Sequence, residues 1–138
     1  AHRRTGSAIL GDGELNEGSI WEALMFAAHH KLNNLCVIVD ANEFQAMGKT
    51  SEVLNTEPLV DKFKAFGFET VECDGHDLKK VTSLLESFDG KSMAPKALIA
   101  RTLKGKGVSF MERINLWHYT RLNSETYPKA IKEIEDIQ

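Results

Sequence analysis

The sequence predicts an α/β fold in which a parallel sheet carries helices on both faces. Three observations carry that expectation. Short apolar runs alternate along the chain with stretches of helical periodicity. Two of the runs, Ala8-Ile9-Leu10 and Leu35-Cys36-Val37-Ile38-Val39, flank one such stretch. Each run also gives way to polar, loop-forming residues, Gly11-Asp12-Gly13 after the first and Asp40-Ala41-Asn42 after the second. Strands joined by a helix pair in parallel through a right-handed crossover, so their carboxyl ends share one edge. Asp12 and Asn42 are therefore expected as neighbours there.

Taken in chain order, residues 1–5 are polar and expected to be loose, and the first strand begins near Ser7. Over 18–32, Ile20, Trp21, Leu24, Ala27, Ala28 and Leu32 mark one face of a helix that leads into the second strand. Residues 43–57 read as a long loop of small and polar residues, and loops of that length are usually functional or disordered. Thr56 or Glu57 is placed to cap the next helix, with Pro58 in its first turn, Leu59, Val60, Phe63 and Phe66 inward, and Gly67 as its stop. A third strand covers 68–73, with Val71 and Cys73 on one face. Asp74-Gly75 then turns the chain, Asp77 caps a helix, and Leu78, Val81, Leu84, Leu85 and Phe88 form its stripe. Beyond a loop at 89–95, Ala97-Leu98-Ile99-Ala100 makes a fourth strand that runs through Arg101 into a basic glycine loop. A last helix is expected from Ser124, with Tyr127, Ala130, Ile131, Ile134 and Ile137 inward.

A length of 138 residues fits one domain that can bury a core without staples. The net charge of −3, with both signs interspersed, gives no reason to expect nucleic acid or an anionic membrane as partner. Cys36 and Cys73 lie in apolar strand-like runs and read as buried thiols rather than a disulfide or metal site. No run is long and apolar enough to span a bilayer, residues 1–4 do not lead into a signal-peptide core, and the cytoplasm is the expected location.

A carboxylate and an amide oxygen on adjacent strand ends suit a hard cation such as magnesium, which tends to bring a phosphate with it. The glycines on either side of Asp12 would let backbone N–H groups approach that phosphate. Ligands of such sheets bind beyond the carboxyl ends of the strands, where Asp12, Asn42, Asp74 and the loop at 104–107 all map. Lys104 and Lys106 with Gly105 and Gly107 read equally as a phosphate cradle or a solvated strand exit. His29 and His30 end the first helix and suit its dipole, and His76 lies in a turn, so none of the three needs a catalytic role. No Gly-x-Gly-x-x-Gly opens the first helix, which argues against a dinucleotide.

The wording from Gly11 to Ala23, Gly-Asp-Gly-Glu-Leu-Asn-Glu-Gly-Ser-Ile-Trp-Glu-Ala, resembles transketolase, and Gly-Asp-Gly with a downstream Asn resembles the thiamine diphosphate motif. The likeness continues in Lys31-Leu32-Asn33-Asn34-Leu35, Asn55-Thr56-Glu57-Pro58-Leu59, Asp74-Gly75-His76-Asp77 and the run at 104–112. It is most like the amino-terminal subunit of split transketolases. The resemblance implies that Asp12 and Asn42 ligate Mg2+ (or Ca2+) through side chains and Phe44 through its carbonyl. It implies that Gly11 and Gly13 line the thiamine diphosphate, Gly13 with its N–H. Glu17 would belong to an acidic network linking cofactors across a dimer, though the helix dipole alone accounts for an acid there. His118, in Leu116-Trp117-His118-Tyr119, matches the histidine that reaches the diphosphate and the sugar oxygens; Tyr119 departs from the family's usual glycine.

The implied reaction moves a two-carbon ketol unit between sugar phosphates. It needs a pyrimidine-binding partner, the carboxyl-terminal transketolase subunit, in a homo- or hetero-oligomer, because the glutamate that activates the coenzyme resides on that other domain. The isolated chain is accordingly expected to be inactive. In the family a long segment precedes the first strand, so 1–138 is expected to be a single thiamine diphosphate-binding domain lacking its amino-terminal part. Two other readings stand beside this one: a non-catalytic fragment or relic that binds coenzyme weakly or not at all, and another thiamine diphosphate enzyme of the 2-oxo acid dehydrogenase or deoxyxylulose phosphate synthase type.

Overall fold

In the computed structural model, which describes residues 6–88 and 92–136, the first apolar run forms strand β1 (Gly6–Gly11) and the second forms β2 (Leu35–Ala41). They pair in parallel, Ala8 beside Val37 and Gly11 beside Asp40. Helix α1 (Gly18–His29) joins them. It is shorter than the periodicity implies, because Lys31 turns into the left-handed region at φ 51° and Leu32 reaches the core from that turn.

Strands β5 (Glu69–Asp74) and β6 (Lys96–Arg101) complete a parallel sheet of order β1-β2-β6-β5. This order decides where the helices go. The steps from β1 to β2 and from β2 to β5 run the same way across the sheet, so right-handed crossovers put α1 and α3 (Leu59–Ala65) on one face. The return step from β5 to β6 puts α4 (Leu78–Ser87) on the other. Packing agrees: Leu24, Ala27, Leu59 and Phe63 share one core with Val37, Val39, Ala97 and Ile99, whereas α4 meets β5 and β6 from outside that cluster. Trp21 ties α1 to α3, its ring 5.4 Å from Phe66 and its indole N–H donating to the Leu15 carbonyl at 2.8 Å. On the α4 face, Ile9 of the edge strand β1 is 72% exposed.

The helix signals hold at their ends. Glu57 accepts a hydrogen bond from the Leu59 N–H at 2.8 Å, with Pro58 one place ahead of the first turn rather than in it. Gly67, at φ 92°, closes α3, and Asp77 caps α4 by accepting from the Lys80 N–H at 2.9 Å. Three expectations need correction. Residues 43–57 are not a bare loop: they hold a small hairpin, β3 (Phe44–Gln45) with β4 (Gly48–Lys49), and a helical turn α2 (Thr50–Val53). Two-residue strands leave no alternation to read. Leu78, expected inward, is 74% exposed, and the rest of its stripe is half-buried. In the last helix, α5 (Thr126–Glu135), only Ala130 is buried, and Tyr127, Ile131 and Ile134 are exposed. Periodicity marks a face without saying what covers it. Ile137, residues 1–5 with their expected looseness, and residues 89–91 of the expected loop lie outside the described residues.

Both thiols are free, Cys36 buried and Cys73 half-buried. Among the described residues no helix is long and apolar enough to cross a membrane.

Candidate functional site

The carboxyl ends of β1, β2 and β6 meet at one rim. Asp12 follows β1, and its N–H donates to the Asp40 carbonyl at 3.2 Å, so the β1–β2 ladder continues one step past the strand. The segment after β2 then curls over Asp12. Glu43, held at φ 71°, donates its N–H to Asp12 Oδ2 at 2.6 Å, and the N–H groups of Gly13 and Asn42 also face that carboxylate. Asp12 is 3% exposed, and its Oδ1 has no hydrogen-bond partner among the described residues. Burial pushes the Asp12 carboxyl up to about 6, against the Glu43 N–H and with help from the charge of Asp40. A buried carboxylate oxygen without a partner is costly unless something positive meets it.

Asn42 stands beside it, with its side chain aimed differently. Nδ2 donates to Asp40 Oδ2 at 2.9 Å and Oδ1 accepts from the Phe44 N–H at 3.0 Å. The two side chains border separate clefts. One, of about 420 Å³, is lined by Asp12, Glu43, Phe44, Glu57, Arg101 and Arg113 among others. Its neighbour, of about 350 Å³, is lined by Asp40, Asn42, His76, Thr102, Leu103, Lys104 and Gly105.

Glycine is required where the turn packs tightly on its neighbour. A Cβ on Gly13 would stand 2.7 Å from Gln45 Cβ, so the Gly-Asp-Gly turn lies directly against the hairpin. The Gly11 N–H is already taken by Glu14 Oε2 at 2.7 Å. The glycine loop folds on itself: Lys106 N–H donates to the Leu103 carbonyl and Gly107 N–H to Glu112 Oε1, at 3.1 and 3.2 Å. Of this loop, Lys104 and Gly105 line the Asn42 cleft.

The structure thus brings together Gly11, Asp12, Gly13, Asn42 and Phe44. Glu17 and His118 are exposed and line neither cleft. Glu17 occupies the N-cap position of α1 without a side-chain capping bond. His118 ends the 3-10 turn Asn115–His118.

Sequence reasoning missed four contributors. Asp40 sits two places before Asn42 in the Asp-x-Asn run, which was the available signal. Thr102, whose hydroxyl donates to Asp40 Oδ1, follows another strand and left none. Glu43 donates through its backbone, which no residue type announces. Arg101 enters the Asp12 cleft held by Glu57 and by Glu72 at 2.7 Å, a pairing across separate elements.

The donor set at the rim fits a magnesium-type site: one carboxylate with an orphaned buried oxygen, one amide oxygen and main-chain carbonyls, with phosphate left to supply the remainder. Among the described residues no cluster of three His, Cys, Asp or Glu could hold a metal by itself.

The family described as "Transketolase, thiamine diphosphate binding domain" matches residues 4–133. A subunit of the apulose-4-phosphate transketolase of Phocaeicola vulgatus is 40% identical over 128 residues, which is 93% of this chain and 46% of that protein. Subunit SqwG of the 6-deoxy-6-sulfo-D-fructose transketolase of a Clostridium species is 39% identical over 127 residues, 92% of this chain and 46% of that protein. The chain therefore spans about half the length of these curated relatives. The crystal structure of transketolase from Campylobacter jejuni superposes with a TM-score of 0.88 at 32% identity, covering 96% of this chain and 21% of that one.

Proposed function

On the premise that this chain belongs to the transketolase family through its thiamine diphosphate binding domain, we propose that it holds the diphosphate end of thiamine diphosphate through Mg2+, as one subunit of a split transketolase. The observation that carries the metal reading is the buried Asp12 Oδ1, without a hydrogen-bond partner among the described residues, at a rim shared with Asn42. Asp12 brings the negative charge, Asn42 Oδ1 a neutral oxygen, and Phe44 its main-chain carbonyl. The Gly-Asp-Gly turn is held against Gln45, and Lys104 offers a positive charge at the same rim. When bound, the coenzyme supplies the electron sink for cleaving a carbon–carbon bond, and the metal neutralises its diphosphate.

The substrates proposed are sugar phosphates, after the apulose-4-phosphate in the name of the Phocaeicola relative. The partner proposed is a pyrimidine-binding transketolase subunit, and Glu17 and His118, both exposed, are assigned to the assembled dimer of such pairs. A reducing cytoplasm suits the two free thiols.

Calorimetric titration with thiamine diphosphate and Mg2+, on wild type and on Asp12→Ala, tests the binding step. Heat from the wild type alone supports the reading, and heat from neither would sink it. Mixing with a candidate partner and assaying ketol transfer from sugar phosphates against 2-oxo acids tests the reaction. Turnover by the chain on its own would overturn the need for a partner.

A further inference from the structure

We propose that Asp40, braced by Thr102, is the positioning residue that sets the Asn42 amide so that its oxygen, rather than its NH2, keeps a lone pair for a cation. This rests on the reading of Asn42 as a metal ligand.

An asparagine amide has a donor end and an acceptor end of nearly the same shape, so its neighbours choose which way it faces. Asp40 makes that choice. An ionised carboxylate only accepts, and Asp40 Oδ2 takes the Asn42 NH2 at 2.9 Å. The amide oxygen is thereby turned away from Asp40, where it accepts from the Phe44 N–H at 3.0 Å and keeps a second lone pair. Turned the other way, the amide would set oxygen against carboxylate and NH2 against N–H, losing both bonds.

Asp40 is itself held. Its Oδ1 accepts from the Thr102 hydroxyl. Thr102 follows β6 and is fixed from two sides: its N–H donates to the Ala41 carbonyl at 3.3 Å, and the turn after β5 presses on it. There Gly75 donates its N–H to the Arg101 carbonyl at 2.7 Å, and a Cβ on Gly75 would lie 2.5 Å from Thr102 Cγ2. His76 Nε2 accepts from the Leu103 N–H at 2.7 Å and pins the next residue. A strut thus runs from the β5 turn through Thr102 and Asp40 to the amide. With both Asp40 oxygens engaged, its geometry is that of a holder. Groups of this kind that orient a metal's ligands typically change affinity 10- to 100-fold when removed.

The test compares wild type with Asp40→Ala, Asp40→Asn and Thr102→Val, using Mn2+ with thiamine diphosphate as probe and the side-chain amide NMR signals of Asn42 in metal-free protein. Asp40→Ala should weaken Mn2+ uptake roughly 10- to 100-fold and abolish the hydrogen-bonded amide signals. Thr102→Val should do the same to a smaller extent, and Asp40→Asn, which keeps one accepting oxygen, should recover part of the loss. Unfolding curves run alongside identify any variant that fails to fold; Thr102→Val and Asp40→Asn then carry the comparison. A tie that merely stabilises the strand ends would shift the unfolding midpoint and leave Mn2+ affinity alone, and unchanged affinity overturns the proposal. Should the wild type itself take up no Mn2+, the metal reading of the rim falls. The Asn42 amide signals then decide the strut: lost in Asp40→Ala they sustain it, unchanged they overturn it.

Discussion

The rim and the carboxyl-terminal segment carry the same kind of sequence evidence and meet opposite fates. At the rim, each candidate side chain is gripped by its own neighbours: Asp12 by the 42–43 turn, Asn42 by Asp40 and Phe44, and Asp40 by Thr102. From 115 to 136, His118 is exposed, Tyr119 and Tyr127 are 67% and 56% exposed, and α5 buries only Ala130. A parallel sheet edge organises whatever follows its strands, because the ladder fixes the backbone to the last residue. Helix α5 is held differently, by Ser109 donating its N–H and hydroxyl to the Glu133 carboxylate and by the buried Ala130, with no ladder along its length. The rim is therefore set within the chain, and any role of His118 depends on what the chain meets.

The contrast can be broken by substitution. The largest effect is expected in the core beneath the rim: Phe63→Ala, at a fully buried ring, should cost about 3–5 kcal/mol by denaturant unfolding. Asp12 comes next. Its carboxyl is raised to about 6 in the fold, so the metal-free native state holds a proton that the unfolded chain, near 3.8, releases. The resulting contribution is fully present below 3.8 and is lost as pH rises through 6, leaving ionised Asp12 a cost on the order of 3 kcal/mol at neutral pH. Asp12→Asn should accordingly stabilise the metal-free chain at pH 7, flatten its stability between pH 4 and 6, and abolish Mg2+-dependent coenzyme heat. A melting temperature that falls instead would show that the buried charge is compensated within the chain. Wild-type metal binding at pH 5 should also release a proton.

A smaller effect is expected where the rim is packed. Gly75→Ala sets a methyl against Thr102 and should cost about 1–3 kcal/mol in thermal unfolding. The smallest belongs to the other region: Tyr127→Ser and His118→Ala should stay within about 0.5 kcal/mol of wild type in the isolated chain. Should either destabilise the chain by more than that, the exposed side chains of the carboxyl-terminal segment contribute to its hold and the comparison fails.

Much of the fold was legible. Strands β1, β2, β5 and β6 and helices α1, α3 and α4 stand close to where apolar periodicity puts them, and Asp77, Gly67 and Glu57 act at helix ends as their chemistry predicts. The hairpin at 44–49 was not, because its pairing is two residues long and is organised by the turn over Asp12. Asp12 and Asn42 were found by their place after strands. Asp40 and Thr102 were missed because a residue that holds another is visible only once both are in space.

Local sequence alone determined the alternation of strand and helix, and with it a parallel sheet whose strand ends face one way, since strands joined by a helical crossover pair in parallel. It also determined that an acid and an amide would stand at that edge. Only the tertiary structure decided that one oxygen of Asp12 is buried without a partner among the described residues and that Asn42 faces Asp40. It also left the apolar stripe of α5 uncovered. Burial and hydrogen-bond direction depend on atoms brought in from distant parts of the chain, and no periodicity records them.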